Sequence, residues 1–285
     1  MHSPRGTSSG GLRWMVLAQI CFAGMNVCTR LGARHVPWPE IAAVRFLVGA
    51  LLAVAVAATA GRSLRITDRR GAWHRSGFGT LAAAGSFYSL ASDRIAVGDA
   101  ATLGATAPIF VALLSGPMLG ERVGRHVGLA VALAFAGVVA VVRPSFALAT
   151  PVAVIATAGA FCYALAMIWL RRIGPGESHE AVVLHFSLVG LAAMVALALP
   201  VWRWPDWAGA LALVGAGLGG GGAQLAMTRA YALQRAAPVT AVANLGVVFT
   251  HALAIPLFAE RLSPWQYAGA ALVIGATVLL AADRR

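Results

Sequence analysis

Charged residues are scarce in this 285-residue chain, and lysine is absent altogether. Only 11% of the residues are charged, against roughly 25% in soluble domains, whereas 59% are apolar. So few charges cannot cover the surface of a water-soluble fold of this size, which points to lipid as the solvent. Because all 22 basic residues are arginine, Schiff-base chemistry with retinal or pyridoxal is also excluded.

The net charge of +12 does not indicate a nucleic-acid partner, because the arginines lie in short gaps between apolar runs and form no contiguous patch. The three cysteines, Cys21, Cys28 and Cys162, fall inside apolar runs. Cys21 and Cys28 are about 10 Å apart along a helix, which is too far for a disulfide. We expect three inert thiols with no redox role.

Ten apolar stretches follow one another along the chain, each near the roughly 20 residues that a helix needs to cross a bilayer. Each stretch is long and continuous, which favours helices over the short alternating strands of a barrel. The first stretch could be a signal peptide, but no small-residue cleavage site follows it. The sequence predicts an all-α integral membrane protein with ten transmembrane helices. The predicted spans are 12–30, 39–60, 74–92, 99–118, 124–142, 150–171, 180–200, 207–228, 237–258 and 264–282.

The placement of arginine predicts the orientation, since cytoplasmic loops carry the excess of positive charge. With the N-terminus in the cytoplasm, the inside segments carry Arg5, Arg13, Arg62, Arg65, Arg69, Arg70, Arg75, Arg122, Arg125, Arg171, Arg172, Arg229, Arg235, Arg284 and Arg285. The outside segments carry Arg30, Arg34, Arg94, Arg143, Arg203 and Arg261. This bias, most of it from the 62–75 loop, predicts a multi-pass protein of a bacterial-type inner membrane with both termini in the cytoplasm.

The chain repeats itself at an offset of 139 residues, so that FVALLSGPMLGER aligns with FTHALAIPLFAER. The matched pairs are Phe110 and Phe249, Leu114 and Leu253, Pro117 and Pro256, Glu121-Arg122 and Glu260-Arg261, and Leu133 and Leu272. Each half holds five predicted spans. Because five is odd, the second half begins on the opposite side of the membrane and has the inverted orientation. Inverted repeats are typical of secondary transporters, whose substrate site lies near the midplane between the halves. The predicted division is 1–147, the first half, and 148–285, the second half.

The second span begins with a proline and an arginine-phenylalanine pair, Pro39 to Phe46. Each half then ends with a Pro-x-x-x-Glu step, a short gap and a small-residue last helix. These three features resemble the drug/metabolite transporter superfamily, specifically its EamA-type ten-helix members, and 260–269 is closer to the family pattern than 121–128. The resemblance covers the whole chain. It departs at the seventh span, where His185-Phe186 stands in place of Arg45-Phe46, and this leaves the role of that position open.

The resemblance implies a carrier of small metabolites, and amino-acid export is our leading hypothesis. The alternative is a carrier of drugs or of other metabolites, such as nucleotides or sugars. A membrane-embedded enzyme would need clustered ionisable groups at depth, and a channel a charged pore lining; neither pattern is evident in the sequence. The expected partners are a small-molecule substrate and the lipid bilayer, and the sequence does not indicate an oligomeric state.

Two letter patterns match known sites but lack the spacing or context that those sites need. Gly215-x-Gly217-x-x-Gly220 has the form of a dinucleotide fingerprint, which works only at a strand-to-helix turn, whereas these glycines lie inside an apolar helix. Gly217 and Gly221 indicate close helix packing instead. His179 and His185 are six apart, not the four that a zinc helix requires. We therefore expect no metal and no cofactor.

Polar side chains inside the spans are the candidate substrate ligands, because uncompensated burial costs roughly 1–3 kcal/mol for each. Several share a helix face within one span, and the spans concerned are those that line the central cavity in the resembled family. The alternative is that they only make helix–helix hydrogen bonds. The candidate substrate-binding residues are Gln19, Asn26, Tyr88, Tyr163, Gln224, Asn244 and His251.

The sequence allows more than one interpretation of Arg45 and of three prolines. Arg45, one or two turns into the second span, could snorkel outward, pair with Glu40 or face an anionic group of the substrate. Pro108 is predicted to kink the fourth span by removing a backbone hydrogen bond. Pro117 and Pro256 occupy equivalent positions of the repeat and are predicted to be bends or hinges.

The orientation can be tested by placing single cysteines in the 62–75 loop of a cysteine-free variant. We expect an impermeant maleimide to label them only after the cells are permeabilised, because the loop is predicted to face the cytoplasm. Labelling in intact cells would contradict the predicted orientation.

Overall fold

The structure is a computed structural model that describes most of the chain. The described residues are 10–95, 103–104, 106–120, 128–129, 132–133, 136–137, 140, 151–173, 176–234, 236–259 and 263–282. Within these ranges all regular secondary structure is helical, as the composition predicts. Five of the described helices are long and apolar enough to cross a membrane, and shorter apolar helices accompany them.

Most of the helices follow the predicted spans closely, but the fourth helix begins at Ala107, whereas the predicted fourth span begins at 99, and the ninth span is divided. In chain order they are α1 Gly10–Gly32, α2 Trp38–Ala60, α3 Arg69–Ala91, α4 Ala107–Leu119, α5 Pro151–Ile173, α6 His179–Ala198, α7 Trp207–Leu233, α8 Ala236–Ala243, α9 Leu245–Phe258 and α10 Pro264–Ala282. A short 3-10 turn, Leu199–Val201, extends α6. The predicted ninth span is two helices, α8 and α9, separated at Asn244. The predicted fifth span, 124–142, lies mostly outside the described residues.

Side-chain caps fix where three of the helices begin. Asp68 accepts a hydrogen bond from the Gly71 N–H at 2.9 Å before α3, and Asp206 accepts one from Gly209 at 2.8 Å before α7. Ser178 caps α6 in the same way. Each cap satisfies a backbone donor that the first helical turn leaves without an intrahelical partner. The Asp68 cap starts α3 five residues before the predicted third span.

All eight tryptophans lie at helix ends or in the adjoining gaps, as expected of residues that anchor a protein at the two membrane surfaces. Trp204, between α6 and α7, is almost fully exposed, and Trp207 begins α7. At other helix ends Arg172 lies over Trp169, and Arg229 lies over Trp14, with the guanidinium carbon 4.5 Å from the ring centroid. This distribution fits helices that cross a bilayer end to end.

Helix packing follows the internal repeat. α1 packs on α7, and its equivalent α5 packs on α3; α2 contacts α7, and its equivalent α6 contacts α3. The α1–α9 contact corresponds in the same way to the α5–α4 contact, while α2 and α6 meet each other. A two-fold axis relating the halves would produce this pattern, with α2 and α6 beside the axis.

Glycines on α7 let two neighbouring helices approach closely. A Cβ on Gly217 would come within 2.7 Å of Val48, and one on Gly221 within 3.0 Å of the Cα of Gly49, both on α2. On the α1 side, a Cβ on Gly219 would lie 2.9 Å from the Cys21 carbonyl oxygen. The interpretation of Gly217 and Gly221 as packing residues is confirmed, because α7 lies tightly between α1 and α2.

Two carboxylates tie the halves together, one at each end of the bundle. Glu40, fully buried in the first turn of α2, accepts a hydrogen bond from the Arg203 N–H at 2.6 Å. Glu177, before α6, accepts hydrogen bonds from the Thr67 and Asp68 N–H groups at 2.8 and 2.7 Å. Glu40, at the start of α2, binds the backbone before α7, and Glu177, before α6, binds the backbone before α3. The two ties therefore correspond to each other in the repeat.

The prolines fall at helix ends. Pro117 and Pro256 lie inside α4 and α9, two residues before each helix ends. The residues that follow the two helices, Gly120 and Ala259, both have left-handed backbone, with φ of 69° and 52°. Pro108 is the second residue of α4. At this position its missing N–H costs no intrahelical hydrogen bond, and the role of Pro108 as a bend or hinge stays a prediction.

Ala259 occupies a conformation that costs an L-residue with a Cβ roughly 1–2 kcal/mol, and glycine avoids most of this cost. We expect Ala259→Gly to raise the apparent melting temperature of the detergent-solubilised protein. Gly120→Ala, at the equivalent position of the repeat, should lower it. Opposite shifts, or a Gly120→Ala variant as stable as the parent, would contradict equivalent left-handed ends.

Candidate functional site

A cavity of about 200 Å³ lies between the helices of the two halves. Its wall is formed by α1, α2, α3 and the start of α4 from the first half, and by α5, α6, α7, α8 and α9 from the second. Most lining residues come from helix interiors, such as Met25, Phe87, Ala160 and Phe186. We call this space the central cavity.

Five of the seven predicted ligands line the central cavity: Gln19, Asn26, Tyr163, Gln224 and Asn244. The Asn26 Nδ2 group donates to the Thr250 Oγ1 atom at 3.2 Å. The Tyr163 hydroxyl contacts the Met227 sulfur at 3.0 Å, and the Gln19 amide contacts the Met15 sulfur at 3.1 Å. These bonds use part of the polar capacity of each side chain, so the same groups both join helices and face the cavity.

The other two predicted ligands lie elsewhere in the described structure. The Tyr88 ring packs edge to face on Trp38, with the ring centroids 6.2 Å apart, and it does not line the cavity. His251 is buried, and its Nδ1–H group donates to the Val247 carbonyl oxygen at 2.9 Å, one turn earlier in its own helix. The structure thus places both side chains in the surrounding packing.

The helix break at Asn244 lies on the cavity wall. Asn244 links α8 to α9, and its side chain is buried with the Oδ1 atom unpaired among the described residues. The N-terminus of α9, which carries the positive end of the helix dipole, therefore begins at the cavity. Gly246 leaves room for the Gln19 side chain, since a Cβ there would clash with the Gln19 amide oxygen. Discontinuous helices at a central site are a recurring feature of transporters.

The structure distinguishes among the three readings of Arg45. The side chain is 3% exposed, which excludes snorkelling, and among the described residues it forms no ion pair with Glu40 or another carboxylate. Arg45 lines the central cavity instead. Its guanidinium carbon lies 4.5 Å from the Phe46 ring centroid and 5.3 Å from that of Phe186.

Arg75 is the residue that the sequence interpretation missed. It was assigned to the cytoplasmic loop, but it lies two turns into α3, is 1% exposed and lines the central cavity. Its Nη2 group donates to the Gln224 Oε1 atom at 3.0 Å. The Asp68 cap was the available signal, because a helix that begins at Arg69 carries Arg75 into the bundle. The other four arginines of the 62–75 loop are exposed and remain part of the charge bias that predicts the orientation: Arg62, Arg65, Arg69 and Arg70.

Phe186 links the two arginines. Its ring centroid lies 4.2 Å from the Arg75 guanidinium carbon and 5.3 Å from that of Arg45, so both cations contact the same ring. Phe46 and Phe186, the paired phenylalanines of the two halves, pack edge to face with centroids 5.1 Å apart. His185 instead bonds the Ser76 hydroxyl at 2.8 Å and does not line the cavity. The position of the arginine-phenylalanine motif therefore has different roles in the two halves.

Both arginines carry an electrostatic cost that their described contacts do not offset. The Nε and Nη1 atoms of Arg45 and of Arg75 have no hydrogen-bond partner among the described residues. A buried unpaired ion retains a penalty of several kcal/mol, whereas a cation–π contact contributes roughly 0.5–2 kcal/mol. Among the described lining residues none is acidic, so the cavity wall carries two positive charges and no carboxylate.

The comparisons with known proteins agree with this architecture. The model of the EamA-like transporter family matches the chain twice, over residues 9–143 and 150–282. The chain belongs to the EamA-like transporter family. The protein is therefore a multi-pass membrane transporter, and its family membership points away from an enzyme.

Two bacterial relatives and one solved structure show how far the likeness extends. A pseudopaline exporter of Pseudomonas aeruginosa is 27% identical, and the match covers 96% of this chain and 97% of the exporter. A riboflavin transporter of Vibrio cholerae is 25% identical over 78% of this chain and 76% of its own length. A protein of known crystal structure shares the fold with a TM-score of 0.76 at 18% identity, covering 95% of this chain and 96% of that one.

Proposed function

We propose that this EamA family member is a secondary transporter that exports small metabolites, with amino acids foremost, across a bacterial inner membrane. The central cavity carries the proposal, because its wall combines helices of both halves. A solute held there can be exposed to either side when one half rocks against the other. In this account the halves, 1–147 and 148–285, are inverted five-helix repeats.

The two carboxylate ties support alternating access. The Glu40 tie and the Glu177 tie lie at opposite ends, and each consists of one side chain bound to backbone N–H groups. Breaking one tie while keeping the other would open the cavity at one end only. Pro117 and Pro256, near the ends of α4 and α9, are the proposed hinges.

The polar lining favours an amino acid over a purely apolar drug. Amide groups of Gln19, Asn26, Gln224 and Asn244 surround the cavity and can accept hydrogen bonds from an ammonium group. Phe22, Met25 and Phe87 add apolar wall for a side chain. The name of the pseudopaline exporter supports export, whereas the name of the riboflavin transporter keeps other metabolites and drugs as the alternative.

Alanine substitution of two amides tests the site. We expect Asn244→Ala and Gln224→Ala to lower transport about tenfold with near-normal expression, because each removes a polar group from the cavity wall. Tyr88→Phe, predicted as a ligand from the sequence but lying outside the cavity, serves as the comparison and should transport normally. Normal transport by both alanine variants would assign these amides to packing alone.

Energy coupling is tested by counterflow in liposomes held at equal pH on both sides, with an ionophore present. We expect saturable exchange of labelled amino acid to persist, because none of the described cavity residues is a carboxylate able to release a proton to the solute. Any pH dependence should be shallow. Linear, non-saturable flux would indicate a channel.

One result would contradict the prediction that transport does not require a proton gradient. If uphill transport requires an imposed proton gradient and His251→Gln retains that requirement, a carboxylate must carry the proton. Glu40→Gln is then the first variant to examine, since Glu40 is fully buried and its Oε2 atom has no partner among the described residues.

A further inference from the structure

We propose that Arg45 and Arg75 together form an oxyanion site in the central cavity, so that the transported solute carries a carboxylate or a phosphate. The inference rests on the proposed function and narrows it to a substrate class. Zwitterionic amino acids and other small organic anions fit this site. Solutes whose only charge is positive, including cationic drugs, do not.

The described wall of the cavity holds two positive charges and no carboxylate. Both guanidinium groups are buried in the bundle, close to the ring of Phe186, and neither forms an ion pair with a described carboxylate. Two like charges in a medium of low dielectric repel each other, and an anion between them relieves that repulsion. Both side chains line the central cavity, and arginine forks commonly bind the oxygens of one oxyanion.

The surrounding residues hold the arginines in place. Gln224 accepts from Arg75 through its amide oxygen at 3.0 Å, which orients that guanidinium without neutralising its charge. A Cβ on Gly79 would clash with Arg75, and one on Gly220 would lie 2.7 Å from the Arg45 Nε atom. Arginine–aromatic contacts also fix both groups. The cations are therefore positioned by neutral partners, and their charge stays available to a ligand.

A purely structural role explains these features less well. An arginine that only joins helices would pair with a carboxylate or with carbonyl oxygens, as Arg30 does with Asp93 and with the Leu90 and Ser92 carbonyls. Arg45 and Arg75 lack such acceptors among the described residues, apart from the single amide of Gln224. The nearby start of α9 adds the positive end of a helix dipole to the same wall.

The direct test is ligand-induced thermal stabilisation of the purified full-length protein. The probes are the twenty L-amino acids, their carboxamides, in which the carboxylate is replaced by a neutral group, and inorganic phosphate. We expect at least one amino acid to stabilise the protein and its carboxamide to bind at least tenfold more weakly. Stabilisation by phosphate, with none by any amino acid, would identify a phosphorylated substrate.

Arginine variants connect that selectivity to the site. Arg45→Gln and Arg75→Gln should each weaken binding of the stabilising anion at least tenfold, whereas Arg94→Gln, which removes an exposed charge, should not change it. Gly79→Ala displaces Arg75 and should act in the same direction, while Gly77→Ala, in open space on the same helix, is its matched control. Equal binding of amino acid and carboxamide, or anion binding unchanged in both arginine variants, would overturn the proposal.

Counterflow separates this inference from the proposed function. Exchange of neutral or cationic solutes with no exchange of anions would leave a carrier but overturn the oxyanion site. Anion binding that depends on Arg45 and Arg75, without counterflow of any probe, would support the site and contradict the carrier.

Discussion

The burial of two arginines without acidic partners is the constraint on which the rest of this structure depends. Inside a membrane protein such a charge is costly, and cation–π contacts offset only part of that cost. Arg45 and Arg75 are nevertheless held beside one aromatic ring, at the centre of the helix bundle. The fold accommodates them by presenting amides, small residues and a helix start around the cavity, and no carboxylate among its described lining residues.

The packing of the bundle follows from the same requirement. Glycines on α7 bring α1 and α2 close, and Gly220 on that helix leaves room for Arg45. On α3, Gly79 leaves room for Arg75 and for Phe186. Because α2 and α6 meet beside the apparent two-fold axis, Phe46 and Phe186 pack together there. The repeat thus supplies a symmetric aromatic pair, and the two arginines break that symmetry, since one comes from α2 and the other from α3.

Much of this was predictable from the sequence, because hydropathy and helical periodicity are local properties. The helix positions, the internal repeat and five of the seven candidate cavity residues follow from them. Arg75 was missed because a hydropathy window assigns an arginine-rich helix start to a loop, although Asp68 marks where that helix begins. The face shared by Asn244 and His251 assumed one continuous helix, whereas two helices meet at Asn244. Tertiary packing determines which face of α3 turns inward. The position of Tyr88 therefore does not follow from local periodicity.

An experimental structure of the protein with a transported carboxylate bound would test directly whether Arg45 and Arg75 form an oxyanion site. We expect its carboxylate oxygens within hydrogen-bonding distance of both the Arg45 and the Arg75 guanidinium groups, with the remainder of the solute beside Asn244 and the α9 start. A solute bound outside the central cavity, or one whose neutral or cationic part faces the two arginines, would contradict it.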